Sequence, residues 1–286
     1  MRTSMRQRPF KQVDVFTAVA LRGNPLAVVL DGADLGDEEM QHFAAWTNLS
    51  ETTFLLPPTN DTADYRVRIF TPGGELPFAG HPTLGTCHAW LQAGGRPRRR
   101  DVMVQECKQG LVSLRRDGER LAFAAPASKR SATSPAVLAQ VAAALGLKAK
   151  QVVAAQALDN GPVWLALLLD HPQTVLALKP DHAALRATGQ KVGVAARYRD
   201  AHASEPMLEV RAFADPIGVP EDPVTGSLNA SLAQWLMDED QMPARYIVAQ
   251  GACLGRAGRV HVERDEHGQV WVGGQTVTCI EGSVLL

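Results

Sequence analysis

The stretch R-I-F-T-P-G-G-E-L-P-F-A-G-H-P-T-L-G-T-C-H-A-W-L, Arg68 to Leu91, decides how the chain is read. Val67 to Phe70 has the apolar run of a short strand, and the Gly/Pro-rich segment after it marks a turn. A helix is expected to start at His81-Pro82, because proline is tolerated at a first helical position, where its missing N–H has no partner to lose. The turn thus delivers a histidine to an open helix N-terminus, where free N–H groups and the helix dipole favour an anion. The helix, Thr83 to Ala93, is apolar on most faces and is expected to be buried. Gly94-Gly95 stops it.

The same device recurs at residues 210–236, V-R-A-F-A-D-P-I-G-V-P-E-D-P-V-T-G-S-L-N-A-S-L-A-Q-W-L. Val67-Arg68-Ile69-Phe70 matches Val210-Arg211-Ala212-Phe213. His81-Pro82-x-x-Gly85-Thr86 matches Asp222-Pro223-x-x-Gly226-Ser227, an offset of 222 − 81 = 141 in a chain of 286 residues. The pattern reads as an internal duplication of a strand, a turn and a buried helix; the plainer alternative is chance similarity of two amphipathic helices. If the halves face each other, His81 and Asp222 lie on two walls of one cleft, each at a helix N-terminus.

Composition narrows the class. Apolar residues make up 45% and charged residues 21%, ordinary for a soluble globular protein. A net charge of −1 provides no field for nucleic acid or an anionic membrane, so neither is expected as a partner. The basic run Arg96-Pro97-Arg98-Arg99-Arg100 follows a helix stop and reads as a solvated loop. Cys87, Cys107, Cys253 and Cys279 are widely spaced with no C-x-x-C, which argues for reduced thiols rather than disulfides or a zinc site. The charged N-terminal residues 1–10 lack the apolar core of a signal peptide. The aliphatic stretch Leu165 to Leu169 is too short to span a bilayer. A cytoplasmic location is expected.

Along the chain, strands are expected at Val13–Phe16, Ala27–Leu30, Thr52–Leu56 and Tyr65–Phe70. A helix is expected over Asp37–Thr47, capped by Asp37, with Met40, Phe43, Ala44 and Trp46 as its apolar members. The polar segment Ala127 to Ser134 is the expected link between two domains, 1–128 and 129–286, with a C-terminal strand near 278–286 as a candidate to return to the first. The second half opens with a helix, Pro135–Leu145. It continues through short strands and a small helix near Asp181–Thr188 to the repeated device and four further strands.

Six residues are candidates for chemistry. Glu51 ends a helix and precedes an apolar strand; partial desolvation there would raise its pKa and suit it to moving protons. The alternative is a surface glutamate. His81 and Asp222 read either as substrate-facing groups or as helix caps. Gly80, Gly226 and Ser227 can offer backbone N–H groups to a carboxylate. Glu75 and Glu221, in the same turns, read as solvent-facing. His81 and His88 lack a third ligand for a metal. No G-x-S-x-G elbow, G-x-G-x-x-G fingerprint or P-loop is present.

Taken together, these pieces resemble the PhzF-like phenazine-biosynthesis isomerase family. The resemblance rests on Asp14-Val15-Phe16-Thr17 with Gly23-Asn24-Pro25, on Ser50-Glu51-Thr52-Thr53-Phe54, and on Arg68-Ile69-Phe70-Thr71-Pro72 with Glu75 to Gly85. Glu221-Asp222-Pro223-Val224-Thr225-Gly226-Ser227 and Gln250-Gly251 with Gly255-Arg256 complete it. It implies an α+β, diaminopimelate-epimerase-like fold of two pseudo-symmetric lobes, each a curved sheet around a central helix, with the active site between them and a homodimer. By resemblance, Glu51 is the acid/base, His81 and Asp222 hold the substrate and assist proton movement, and Gly80, Gly226 and Ser227 bind its carboxylate. No cofactor is implied. The related epimerases carry a cysteine on each wall; here His81 and Asp222 stand there and Cys87 lies further along, which disfavours a two-thiol racemase. Leu228-Asn229 are bulkier than this family leads one to expect.

The reading is a cofactor-independent isomerase that moves a proton on a small carboxylate or amino-acid-like molecule through Glu51. Its alternatives are a non-catalytic metabolite-binding protein on the same scaffold and an amino-acid epimerase.

Overall fold

A computed structural model describes residues 5–202 and 204–286; residues 1–4, part of the charged N-terminal stretch read above, lie outside it. The chain opens with β1 (Gln7–Val15), β2 (Asn24–Val29), α1 (Asp37–Thr47), β3 (Thr52–Leu56), β4 (Tyr65–Thr71) and β5 (Gly74–Leu76). Then come α2 (Gly80–Gln92), β6 (Val102–Cys107), β7 (Gly110–Asp117), β8 (Arg120–Ala124), β9 (Lys129–Ser131) and α3 (Pro135–Ala144). β10 (Val152–Asp159), β11 (Val163–Leu169), α4 (Pro172–Ala177), α5 (His182–Ala187), β12 (Val192–Arg197), β13 (Pro206–Ala214) and β14 (Val219–Asp222) follow. The chain closes with α6 (Gly226–Asp238), β15 (Arg245–Gln250), β16 (Gly258–Arg264), β17 (Val270–Gly274) and β18 (Thr276–Leu285). Two compact units result: Met1–Ala124 with Gly273–Leu286, and Ala125–Val272. No helix among the described residues is long and apolar enough to cross a membrane.

In the first unit β18, β1, β2, β3, β4, β6, β7 and β8 are hydrogen-bonded in that order, antiparallel except for β2–β3 and β4–β6. α2 touches both extremes of this order, β18 and β8, as well as β1, β2, β3 and β6 between them. A flat sheet cannot do that, so the strands curve around the helix. Gly85 makes the fit possible: a Cβ there would lie 2.6 Å from Leu26 Cδ2 and 2.9 Å from Val15 Cγ2. Outside the sheet, Met40, Phe43 and Ala44 of α1 pack on Val29, Phe54 and Phe70. Trp46, expected in that apolar face, is 80% exposed and stacks on Phe43. Nor does Asp37 cap α1. Gly36 holds the cap position, and its N–H donates to Glu39 Oε2 at 2.8 Å.

The second unit repeats the scheme with β9, β10, β11, β12, β13, β15 and β16, antiparallel except for β11–β12 and β13–β15. α6 packs on β10 and β16, with ten of its residues buried. α3, α4 and α5 cover the opposite face through Val141, Val175, Leu185 and Phe213. The expected linker is not structureless: Lys129–Ser131 forms β9 and pairs with β10. Strand for strand, β1-β2-β3-β4-β6-β7 and β10-β11-β12-β13-β15-β16 share one pattern of parallel and antiparallel neighbours. That pattern makes the internal duplication a property of the fold.

The structure corrects the register of that duplication. Ile69 faces Leu76 across the β4–β5 hairpin, and Ala212 faces Asp222 across β13–β14. The strand offset is 212 − 69 = 143 and the return offset is 222 − 76 = 146. The three extra residues fall at the second turn, where Asp215–Ile217 forms a short 3-10 helix. The helices begin at Gly80 and Gly226, again 146 apart. The true repeat is therefore Glu-x-Pro-x-x-Gly: Glu75, Pro77 and Gly80 answer Glu221, Pro223 and Gly226. His81 corresponds to Ser227, not to Asp222. The offset of 141 had aligned Pro82, inside the first helical turn, with Pro223, ahead of the second helix.

The repeated glutamates are not solvent-facing. Arg68 Nε and Nη2 donate to Glu75 at 2.8 and 3.0 Å; Arg211 Nε and Nη2 donate to Glu221 at 3.0 and 2.8 Å. Each guanidinium also lies 5.0 Å from the ring centre of the phenylalanine two residues on, Phe70 or Phe213. A bidentate fork fixes both distance and angle, so each pair ties a strand to the return that leads into the central helix.

Candidate active site

Three element starts meet in the first unit. β2 begins at Asn24, β3 is preceded by Glu51, and His81 is the second residue of α2. α1 ends on Asn48 in the left-handed conformation (φ 53°), which turns the chain toward Glu51. His81 Nε2 stands 3.3 Å from Glu51 Oε2, and Asn24 Nδ2 stands 3.4 Å from His81 Nδ1. The side chains are 5% and 15% exposed for His81 and Glu51. Asn24 is fully buried. Its position depends on Gly23, where a Cβ would meet Val15 O at 2.3 Å, and the Gly23 N–H donates to buried Asp14 Oδ2 at 3.3 Å.

Burial lowers the His81 pKa from 6.5 to about 3, so the ring is neutral near pH 7. With the Asn24 amide nitrogen facing Nδ1, that nitrogen accepts and Nε2 carries the hydrogen. The Nε2 hydrogen then lies on the Glu51 side of the ring, 3.3 Å from Oε2 but short of hydrogen-bond geometry. Ala79 at the N-cap of α2 is extended and gives no side-chain cap, and the first turn holds no acidic residue. Behind the tip, Gln105 Nε2 donates to Thr83 Oγ1 at 2.9 Å, and Tyr65 OH donates to Gln105 Oε1 at 3.3 Å. Cys87 is fully buried, and burial pushes its thiol up to about 12. It is therefore unsuited to act as a thiolate.

The second unit places its candidates differently. Asp222 ends β14 and does not cap α6; Thr225 is at the N-cap. Asp222 Oδ2 accepts from Thr225 Oγ1 at 2.6 Å, and Asp222 O accepts from Gln250 Nε2 at 3.1 Å. Gln250 is the hub: its Oε1 accepts from Thr225 N at 3.1 Å and from Asn229 Nδ2 at 2.9 Å, and its Nε2 also donates to Thr225 Oγ1 at 2.9 Å. Ser227 Oγ accepts from Trp164 Nε1 at 3.1 Å, and Ser227 O accepts from Asn160 Nδ2 at 2.9 Å. Gly226 opens the helix with no side-chain cap and no acid in the first turn. The bulk after Ser227 is absorbed inside. Leu228 fills the space over Gly193, where a Cβ would sit 2.5 Å from Leu228 Cδ1.

Sequence reasoning singled out Glu51, His81 and Gly80, which the structure brings together, and Asp222, Gly226 and Ser227, which it sets around one helix start. It gave no role to Asn24, Gln250, Thr225, Asn229 or Trp164. Asn24 and Gln250 lay in stretches already noted, beside the glycines at 23 and 251. Among the described residues, no cluster of three or more His, Cys, Asp or Glu side chains is placed to hold a metal.

A model of the family described as phenazine biosynthesis-like protein matches residues 13–282. The chain belongs to that family. It is 38% identical to antisense-enhancing sequence 1 of Schizosaccharomyces pombe, over 97% of this chain and 99% of that one. It is 34% identical to trans-2,3-dihydro-3-hydroxyanthranilate isomerase of Pseudomonas aeruginosa, over 96% and 98%. The crystal structure of a phenazine biosynthesis protein of the PhzF family from Bacillus anthracis superposes with a TM-score of 0.85 at 24% identity, covering 99% and 100%. This family member therefore has the expected two-lobed fold, and its relatives support an isomerase function.

Proposed function

We propose that the chain is a cofactor-independent isomerase in which Glu51 moves a proton on a small carboxylate-bearing substrate. The observation that carries the reading is the 3.3 Å approach of a carboxylate to a buried, neutral histidine at an uncapped helix start. Ionised Glu51 takes a proton from a carbon next to an unsaturated system. The electron pair left behind delocalises, the double bond shifts, and Glu51 returns the proton to a different carbon. No atom is gained or lost. His81, held by Asn24, keeps the carboxylate oriented through Nε2–H. The same reading assigns the substrate carboxylate to backbone N–H groups at Gly80, Gly226 and Ser227, with Asp222 as a further holding group. General acid–base transfer contributes ~10²–10⁴-fold, so the anion-holding groups have to supply the remainder.

The first substrate to test is trans-2,3-dihydro-3-hydroxyanthranilate, on which the P. aeruginosa relative is named to act. Wild type and Glu51→Gln are incubated with it in D₂O, beside a panel of amino acids that includes proline. Turnover abolished in the variant supports the reading; turnover retained overturns it. Loss of chirality in the panel would instead identify an epimerase. The second reading is a metabolite-binding protein on the same scaffold. Tight binding with neither deuterium uptake nor a shifted double bond would establish it.

A further inference from the structure

The second unit carries a cavity of about 600 Å³ that the proposed chemistry does not use. Its floor is one cross-strand row. Glu209 of β13 faces Ala249 of β15, and Ala249 faces Arg259 of β16. Side chains alternate along a strand, so this row points away from the neighbouring row of Val210, Gln250 and Gly258. That neighbouring row faces α6: Gln250 bonds to Thr225 and Asn229, and a Cβ on Gly258 would meet Val224 at 2.4 Å. The cavity thus opens on the opposite face of the sheet from the Asp222–Gln250 network. Ala249 in the row keeps its floor recessed.

Glu209 is only 3% exposed, and its surroundings are unusual for a structural carboxylate. Oε2 accepts from Tyr198 OH at 2.9 Å, whereas buried Oε1 has no hydrogen-bond partner among the described residues. Buried polar atoms in native folds are nearly always partnered, so such an atom, on a residue that lines a cavity, needs a reason. Burial raises the Glu209 pKa, and Arg259 and Arg211 oppose the rise. Arg259, in the same cross-strand row as Glu209, lines the same cavity. Its Nη1 donates to Gly258 O at 2.8 Å. A guanidinium has five N–H donors, so this fork keeps donors for an anion.

We propose that this cavity is a second small-molecule site that takes a zwitterion. An ammonium or amine N–H would donate to Glu209 Oε1, and a carboxylate would accept from the guanidinium of Arg259. The motif Gln250-Gly251 with Gly255-Arg256 gains a purpose here. Gly251 (φ +97°) folds the chain back so that Arg256 N donates to Gly251 O at 3.0 Å, and this turn forms one rim.

The test is a calorimetric titration of the whole chain with glycine, β-alanine and γ-aminobutyrate, beside acetate and butylammonium as half-molecule controls. At least one zwitterion should bind saturably, about ten-fold or more tighter than either control. Its affinity should fall about ten-fold or more in Glu209→Gln and in Arg259→Ala. Arg259 is exposed on a strand, so its variant carries the test should Glu209→Gln fail to fold. The same curve is expected in Glu51→Gln, which separates this site from the proposed catalytic one. The assignment is overturned if no zwitterion outbinds the controls. It is also overturned if both variants, or Arg259→Ala alone where Glu209→Gln does not fold, bind as the wild type does.

Discussion

The two strand–hairpin–helix devices keep the same clamp and differ at the tip. Arg68 with Glu75 over Phe70, and Arg211 with Glu221 over Phe213, reproduce one geometry to within about 0.2 Å in each hydrogen bond. At the helix start the copies part. The first sets buried neutral His81 against Glu51. The second has Ser227 at the equivalent position, while Asp222, Thr225, Asn229 and Gln250 share a hydrogen-bond network beside it. The clamp positions a helix tip in the same way whichever residues the tip carries, so the tip was free to specialise.

The sharpest break in the comparison is chemical. Glu51→Gln should lower kcat ~10²–10⁴-fold with little change in KM, measured on whichever substrate is turned over. Comparable loss from a change confined to the second tip, such as Ser227→Ala, would count against the division of labour. Next come the clamps. Arg211 and Glu221 side chains are 5% and 9% exposed, against 25% and 19% for Arg68 and Glu75. Arg211→Met leaves a buried carboxylate alone and should cost about 3–5 kcal/mol in urea unfolding. Arg68→Met, better solvated, should cost about 1 kcal/mol.

A third prediction concerns how the first helix sits in its sheet. Gly85→Ala puts a methyl where Leu26 and Val15 already lie and should cost about 1–3 kcal/mol. Its counterpart at 146 residues' offset, Ser231, already carries a Cβ. The last effect is a slope. Burial lowers His81 to about 3 and His88 to about 4, whereas α6 contains no histidine. Unfolded histidines titrate near 6.5, so between there and the folded values the unfolded state binds more protons. Stability is complete above about pH 6.5 and is lost as pH falls toward 4, by at most about 1.4 kcal/mol per pH unit for each group. Replacing His88 by glutamine should reduce that slope, followed by unfolding across the pH range.

Much of this was legible from residue patterns. A buried helix after a Gly/Pro turn, twice over, was enough to expect two similar units, and Glu51 and His81 stood out by type and place. Trp46 and the linker strand Lys129–Ser131 were misread because apolar periodicity and polar composition say nothing about which neighbours arrive. Glu75 and Glu221 looked solvent-facing because their partners, Arg68 and Arg211, sit on a different strand of the hairpin.

The chain's own pattern determined that there are two copies of one supersecondary unit and which residue types stand at their helix starts. Both follow from local properties: side-chain periodicity, glycine where only glycine fits, proline where an N–H is not needed. Tertiary structure alone decided the register of the copies, the pairing of His81 with Glu51 and Asn24, and the hub at Gln250. Those depend on contacts between distant strands, and a three-residue insertion in one turn is invisible until the hairpin is closed.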